Sequence, residues 1–172
     1  MLIRAEKEND RAAVYQINAA AFETRAEAEL VEALRACVQP LISLVAEVDA
    51  EVVGHIMFSP VSVSADSRLR MMGLAPMAVA PAHQRQGIGS ALVRAGLERC
   101  KAMACRAVVV LGHPEYYPRF GFSPASRFGL RCEYNVPDEV FMAMELEPGI
   151  FERCIHNGQC CVVKYHAAFR NV

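Results

Sequence analysis

The period of the apolar positions changes several times along the chain, and each change marks an element. Residues 2–5 read as a short first strand. Over 10–22, Val14, Ile17 and Ala21 recur at helical spacing behind acidic residues. Over 24–37, Leu30, Ala33, Leu34 and Cys37 continue as a second amphipathic helix, with Thr24 and Glu27 in capping-box spacing and Pro40 as its stop. Residues 41–47 and 52–58 read as a hairpin about the polar turn 48–51. Its second arm runs past Pro60, since Val61 and Val63 alternate with Ser62 and Ser64. Residues 65–68 turn the chain into a short buried strand, 74–79.

From Ile88 the period is helical again. Ile88, Leu92 and Ala95 share one face, which Val93, Leu97, Cys100 and Ala104 widen. The β-branched run 107–111 suits a strand buried on both faces. Strand, helix and strand in this order predict a right-handed crossover between parallel strands. Ligands of such sheets sit outside the carboxyl ends of the strands. Farther on, 128–135 reads as a strand or wall loop and 141–146 as a strand. Asn157–Gly158 reads as a hairpin turn and 159–165 as a final strand.

The candidate chemistry concentrates between strand 74–79 and the helix from Ile88. A turn holding Gly87 and Gly89 leads into a helix N-terminus, whose unpaired N–H groups and positive dipole end suit a phosphate. Carboxylates normally favoured in a first helical turn are missing, because no Asp or Glu stands between Asp66 and Glu98. Gln84, Arg85 and Gln86 stand there instead. A triphosphatase loop would need a Lys after its last glycine, and a dinucleotide fingerprint would need a third glycine where Leu92 lies. Pro76 cannot donate to a sheet ladder, so a local break there would free backbone groups for a ligand.

Gln84-Arg85-Gln86-Gly87-Ile88-Gly89 resembles the [QR]-x-x-G-x-[GA] signature of the GNAT superfamily of acyl-CoA N-acyltransferases. Met77-Ala78-Val79-Ala80-Pro81 is similar to that family's strand end before the loop. Tyr116-Tyr117-Pro118-Arg119-Phe120-Gly121-Phe122 is similar to its aromatic segment ending in Gly-Phe. With Leu111-Gly112-His113-Pro114 ahead of that segment, the chain looks most like the small bacterial predicted N-acetyltransferases. The likeness covers residues 3–146.

The resemblance implies an α/β fold: a mixed, mostly antiparallel sheet whose central parallel strand pair is splayed, flanked by helices. It implies a single domain over 1–172, with the core motifs in 3–146 and a C-terminal strand extension in 147–172. It further implies acetyl-CoA as co-substrate, and transfer of its acetyl group to a primary amine by direct attack in a ternary complex. The cofactor would meet Gln84, Arg85, Gln86, Gly87, Ile88, Gly89 and Ser90 at its pyrophosphate. Its pantetheine arm would meet the backbone of Met77, Ala78 and Val79, and His113 and Phe120 would complete the cofactor side. Tyr117, four residues before Gly121, matches the family's general acid for the departing thiolate. The first helix pair would cover the acceptor, with Phe22, Glu23 and Arg25 as candidate contacts. No carboxylate stands in 71–80, so no general base is assigned; Glu23, Glu47, His55 and His113 stay open. Two alternatives stand beside this reading: a non-catalytic acyl-CoA-binding or regulatory domain, and a transferase of longer acyl chains.

Eighteen basic and 19 acidic residues give a formal charge of −1, which provides no field for nucleic acid or an anionic membrane. Without a signal-peptide core or a spanning apolar run, the expected place is the cytoplasm. Seven cysteines without framework spacing agree with a reducing compartment. Cys154, His156, Cys160, Cys161 and His166 do not match metal-site spacing, so no metal is expected. The partner expected is a small-molecule or peptide amine, and the apolar tail from Cys160 suits pairing into a homodimer.

Overall fold

Elements form where the period places them, and a computed structural model describes them for residues 1–64, 69–154 and 160–172. The turn expected at 65–68, His156 and the hairpin expected at Asn157–Gly158 lie outside the described residues. Contacts divide the chain into two compact units. One comprises Met1–Ser59, Ala75–Arg99 and Ala167–Val172, the other Pro60–Leu74 and Cys100–His166.

In the first unit, β1 (Leu2–Ala5) pairs antiparallel with β2 (Ile42–Val48), and β2 with β3 (Glu51–Val63), Leu44 facing Ile56. The β2–β3 turn has positive φ at Asp49 and Ala50 (50° and 68°), the two-residue geometry that matches strand twist. Helices α1 (Arg11–Ala21), α2 (Ala26–Cys37) and α3 (Ile88–Ala102) supply the apolar stripes predicted from spacing. Val14, Ile17, Leu30, Val31, Leu34, Leu92 and Val93 are buried with Leu44, Val45, Ile56 and Phe58 of the strands. Gly96 has no side chain because a Cβ there would lie 2.1 Å from Phe58 Cε2. The capping box expected at Thr24 and Glu27 does not form. Thr24 Oγ1 accepts the Ala26 N–H at 3.2 Å, but Arg25 occupies the N-cap, so Glu27 falls one position too early to reach back.

A polar chain crosses this core, with Asn18 Oδ1 at its end left without a partner. Asn18 Nδ2 donates to His55 Nδ1 at 3.1 Å, so the ring carries its proton on Nε2 and donates it to Ser43 Oγ at 2.9 Å. The Ser43 hydroxyl donates to Glu6, and Glu6 is ion-paired with Arg35. His55 is fully buried. Burial, then the Arg35 charge, lower its pKa to about 3, so it is a neutral part of the core.

In the second unit, β4 (Met71–Val79) begins three residues earlier than its apolar run suggested and pairs parallel with β5 (Ala107–Leu111). That ladder runs from Met71–Ala107 to Leu74–Val110, which leaves Ala75–Val79 of β4 outside it, from the residue before Pro76 onward. β5 pairs antiparallel with β8 (Phe141–Glu145), and β8 with the two-residue β6 (Ser123–Pro124). The final strand, β9 (Cys161–Lys164), pairs antiparallel with the end of β3 and parallel with β7 (Leu130–Cys132). The sheet is therefore mixed and mostly antiparallel, with β4–β5 as its central parallel pair. A short α4 (Ile150–Cys154), which the sequence pattern did not reveal, is capped by Glu145, whose carboxylate accepts the Gly149 and Phe151 N–H groups at 3.0 Å each. No described helix is long and apolar enough to cross a membrane.

Candidate active site

The candidate residues fall into two groups, one in each unit. In the first unit, β4 leaves the β5 ladder and alternates as a strand should: Ala78 is buried, while Met77 and Val79 are half-buried on the other face. The Ala80 N–H donates to the Val53 carbonyl at 2.8 Å, which anchors the strand end to β3. A single 3-10 turn, Pro81–His83, then carries the chain into the loop before α3.

This loop is held by its own side chains. Gln84 Nε2 donates to the Val79 carbonyl at 3.1 Å and Gln86 Nε2 to the Ala82 carbonyl at 3.2 Å. Arg85 and Gly87 both have positive φ, 61° and 84°. At Gly87 the left-handed backbone is what demands glycine, since a Cβ there would meet nothing within 4 Å. The space above the loop is thus open. α3 closes its first bond from the Ala91 N–H to the Gly87 carbonyl at 3.0 Å, and no acidic residue stands in its first turn. Helix geometry gives the first-turn amides no acceptor within the helix. Gln84, Arg85, Gln86 and Gly87 are exposed, and Gly89 and Ser90 half-buried. Ile88 differs: its side chain is core, and a Cβ on Gly54 would approach Ile88 Cγ2 to 3.1 Å, so only its backbone can serve a ligand. An anionic group carried on exposed amides, in open space, fits what these residues offer.

In the second unit, β5 ends at Leu111, and Gly112 makes room for Tyr117. A Cβ on Gly112 would lie 2.3 Å from Tyr117 Cε2. The exposed His113 contributes its carbonyl, which accepts the Tyr116 N–H at 3.0 Å and helps start the turn Tyr117–Phe120. Gly121 ends the turn at φ 100°. The Tyr117 ring is buried, edge-on to Tyr116 (5.1 Å between centroids) and to Phe122 (5.7 Å). Phe120 is half-buried against Tyr116 at 5.3 Å. Burial, then the neighbouring Tyr116, raise the Tyr117 pKa, so the phenol holds its proton at neutral pH.

The open candidates for a base separate clearly. Glu47 is ion-paired with Arg4, His55 is locked in the core, and Glu23 and His113 are exposed. Glu27 was read from the sequence only as a cap. It has one buried carboxylate oxygen, Oε2, without a hydrogen-bond partner. Its failed capping geometry is what frees it, and no local sequence signal distinguishes that state. A cavity of about 890 Å³ in the second unit is lined by Phe128, Leu130, Phe141 and Phe151 with Arg127 and Arg131, and it contains none of the candidate site residues. Among the described residues no group of three or more His, Cys, Asp or Glu side chains is placed to hold a metal ion.

Comparison with known proteins places these features in a family. Residues 2–125 match the model of the acetyltransferase (GNAT) domain. The chain is 36% identical over 170 residues to the uncharacterized N-acetyltransferase YhbS of Escherichia coli strain K12, covering 98% of each. Its fold matches the crystal structure of E. coli YhbS in complex with CoA at a TM-score of 0.87, with 35% identity over 98% of this chain and 91% of that one. A GNAT family acetyltransferase from Brucella melitensis in complex with acetyl-CoA matches at a TM-score of 0.76, with 36% identity over 98% and 97% of the two chains.

Proposed function

Because the chain belongs to the GNAT acetyltransferase family, we propose that it moves an acetyl group from acetyl-CoA to a primary amine by direct attack within a ternary complex. The observation that carries this reading is the start of α3, with left-handed Arg85 and Gly87, no first-turn acid and open space above the loop. Backbone N–H groups of residues 85–90 hold the pyrophosphate, and the oriented amides substitute for its hydration. The backbone of Met77, Ala78 and Val79, outside the β5 ladder, takes the pantetheine arm and polarises the thioester carbonyl. Tyr117 donates its proton to the thiolate as the C–S bond breaks; His113 and Phe120 flank the cofactor end near it. The CoA complex of YhbS and the acetyl-CoA complex of the Brucella protein support the choice of co-substrate.

On the acceptor side, Glu27 is assigned the incoming amine. A carboxylate oxygen withdrawn from water without a partner is unfavourable, and an ammonium group satisfies it and can lose a proton to it. Calorimetric titration with acetyl-CoA, with CoA as control, tests the loop, and thiol release across a panel of amines tests the transfer. One cofactor should bind per chain. Tyr117→Phe should lower kcat roughly a hundredfold with little change in acetyl-CoA affinity, and Glu27→Gln should raise KM for the amine and lower kcat together. Absence of binding to either cofactor by folded protein overturns the reading. Binding without turnover of any amine would favour the non-catalytic alternative.

A further inference from the structure

We propose that Cys100 and Cys105 form a modification site, an oxidisable dithiol that a low-molecular-weight disulfide closes into an intramolecular bridge at the end of α3. The geometry is that of a helix stop with crossed hydrogen bonds. The Cys105 N–H donates to the Cys100 carbonyl at 3.0 Å, and the Ala104 N–H to the Lys101 carbonyl at 2.9 Å. Ala104, between them, is left-handed at φ 57°. In this motif the residue three places inside the helix and the second residue beyond its end bring their side chains together, usually as an apolar contact. Here cysteines occupy both of those positions, Cys100 inside the helix and Cys105 beyond its end. The main-chain bond holds the two α-carbons to within about 7 Å, against the 4.4–6.8 Å that a disulfide spans.

The two thiols differ in the way an attacking and a resolving thiol should. Cys100 is fully buried, while Cys105 is half-buried. The Cys100 side chain and the Arg70 charge outweigh burial and lower the Cys105 pKa to about 7, where an attacking thiol is most effective. The neighbouring Cys105 side chain, then burial, raise the Cys100 pKa and keep that thiol protonated. Adjacent Cys160 and Cys161 differ again: one is exposed and the other buried, as alternation along the chain requires.

The Cys105 thiolate attacks one sulfur of glutathione disulfide, forming a mixed disulfide and expelling one glutathione thiolate. The proton of Cys100 passes to that thiolate, and the Cys100 sulfur attacks Cys105, expelling the second glutathione. Two protein thiols are oxidised, and one disulfide is reduced to two thiols.

The test is a peptide map of the folded protein treated with glutathione disulfide, alkylated, and digested with trypsin without reduction. Cleavage after Arg99, Lys101 and Arg106 gives peptides 100–101 and 102–106. They should be recovered joined, two hydrogens lighter than their sum, with at least a tenfold loss of alkylated Cys105. In Cys100→Ser the reaction should stop at glutathione on Cys105. Recovery of the two wild-type peptides separately, whether alkylated or glutathione-capped, overturns the proposal, and this readout stands even if the variant does not fold.

Discussion

Two polar regions of the same unit have opposite fates. The chain Asn18–His55–Ser43–Glu6–Arg35 is largely withdrawn from water, and hydrogen bonds and an ion pair link each residue to the next, while Asn18 Oδ1 is left without a partner. The loop before α3, Gln84 to Gly87, is exposed, and it spends its glutamine side chains on its own carbonyls, while helix geometry gives the first-turn amides no acceptor within the helix. A buried polar group left unsatisfied costs stability, because water cannot reach it. Amides at a helix start beside open space carry no such penalty and can be kept for a ligand at little cost to stability. The comparison separates polar groups that specify the fold from those that serve function, and it can be broken by experiment.

The largest effect should come from acid. In the fold, His55 stays neutral down to about pH 3, whereas the unfolded chain takes up a proton near its ordinary value. The unfolded state then binds more protons, so stability is complete above about pH 6.5 and falls as pH drops below it. The slope approaches about 1.4 kcal/mol per pH unit, a loss of about 3 kcal/mol by pH 4. Asp10, held below its usual range by the hydrogen bond from Arg4, adds its loss only at lower pH, so the window above pH 4 isolates His55. Urea unfolding at pH 7, 5.5 and 4 measures this. A flat profile would show that the polar chain opens to protonation without unfolding.

The exposed loop should respond with effects of opposite sign. Gly89→Glu places a carboxylate in the first turn of α3, which favours the helix dipole and removes a poor helix former, adding roughly 0.5–1 kcal/mol of stability. The same charge beside the pyrophosphate should weaken acetyl-CoA binding by about a hundredfold, roughly 2.7 kcal/mol. Calorimetry and thermal unfolding of the same sample give both numbers. Weaker binding accompanied by lower stability would mean that glycine serves packing there, and the contrast with the polar chain would be lost.

How much of this was legible followed the range of the interactions. The run Ala107–Leu111, the stripe of α3 and the β2–β3 hairpin are local patterns, and each stands where spacing put it. The missing carboxylate at the start of α3 was legible too, because the sequence shows no acid there and the first turn holds none. The linkage of the His55 chain was not, since its members come from α1, β2, β3, α2 and the segment after β1, and only tertiary packing joins them. β7 is three residues long, too short for a period, and finds its parallel partner β9 across distant sequence. Glu27 was misread because a one-residue shift of the helix start changes a cap into an unpartnered carboxylate.

The far end of α3 sharpens the comparison most finely, because there a helix terminus is closed by the chain itself. Its first turn offers donors outward; its last turn returns the Ala104 and Cys105 N–H groups to the carbonyls of Lys101 and Cys100. Closing it requires left-handed Ala104, a conformation that costs a residue with a Cβ about 1–2 kcal/mol. Ala104→Gly removes that cost but restores freedom to the unfolded chain, worth about 0.4–1 kcal/mol in the opposite direction. The net expectation is a gain of about 0.5–1 kcal/mol, read as a rise in the thermal midpoint of a few degrees. Acetyl-CoA affinity should stay unchanged, since the loop's amides are untouched. A loss of stability would mean that the Ala104 methyl packs to advantage, and a change in affinity would mean that the two ends of the helix are coupled rather than independent.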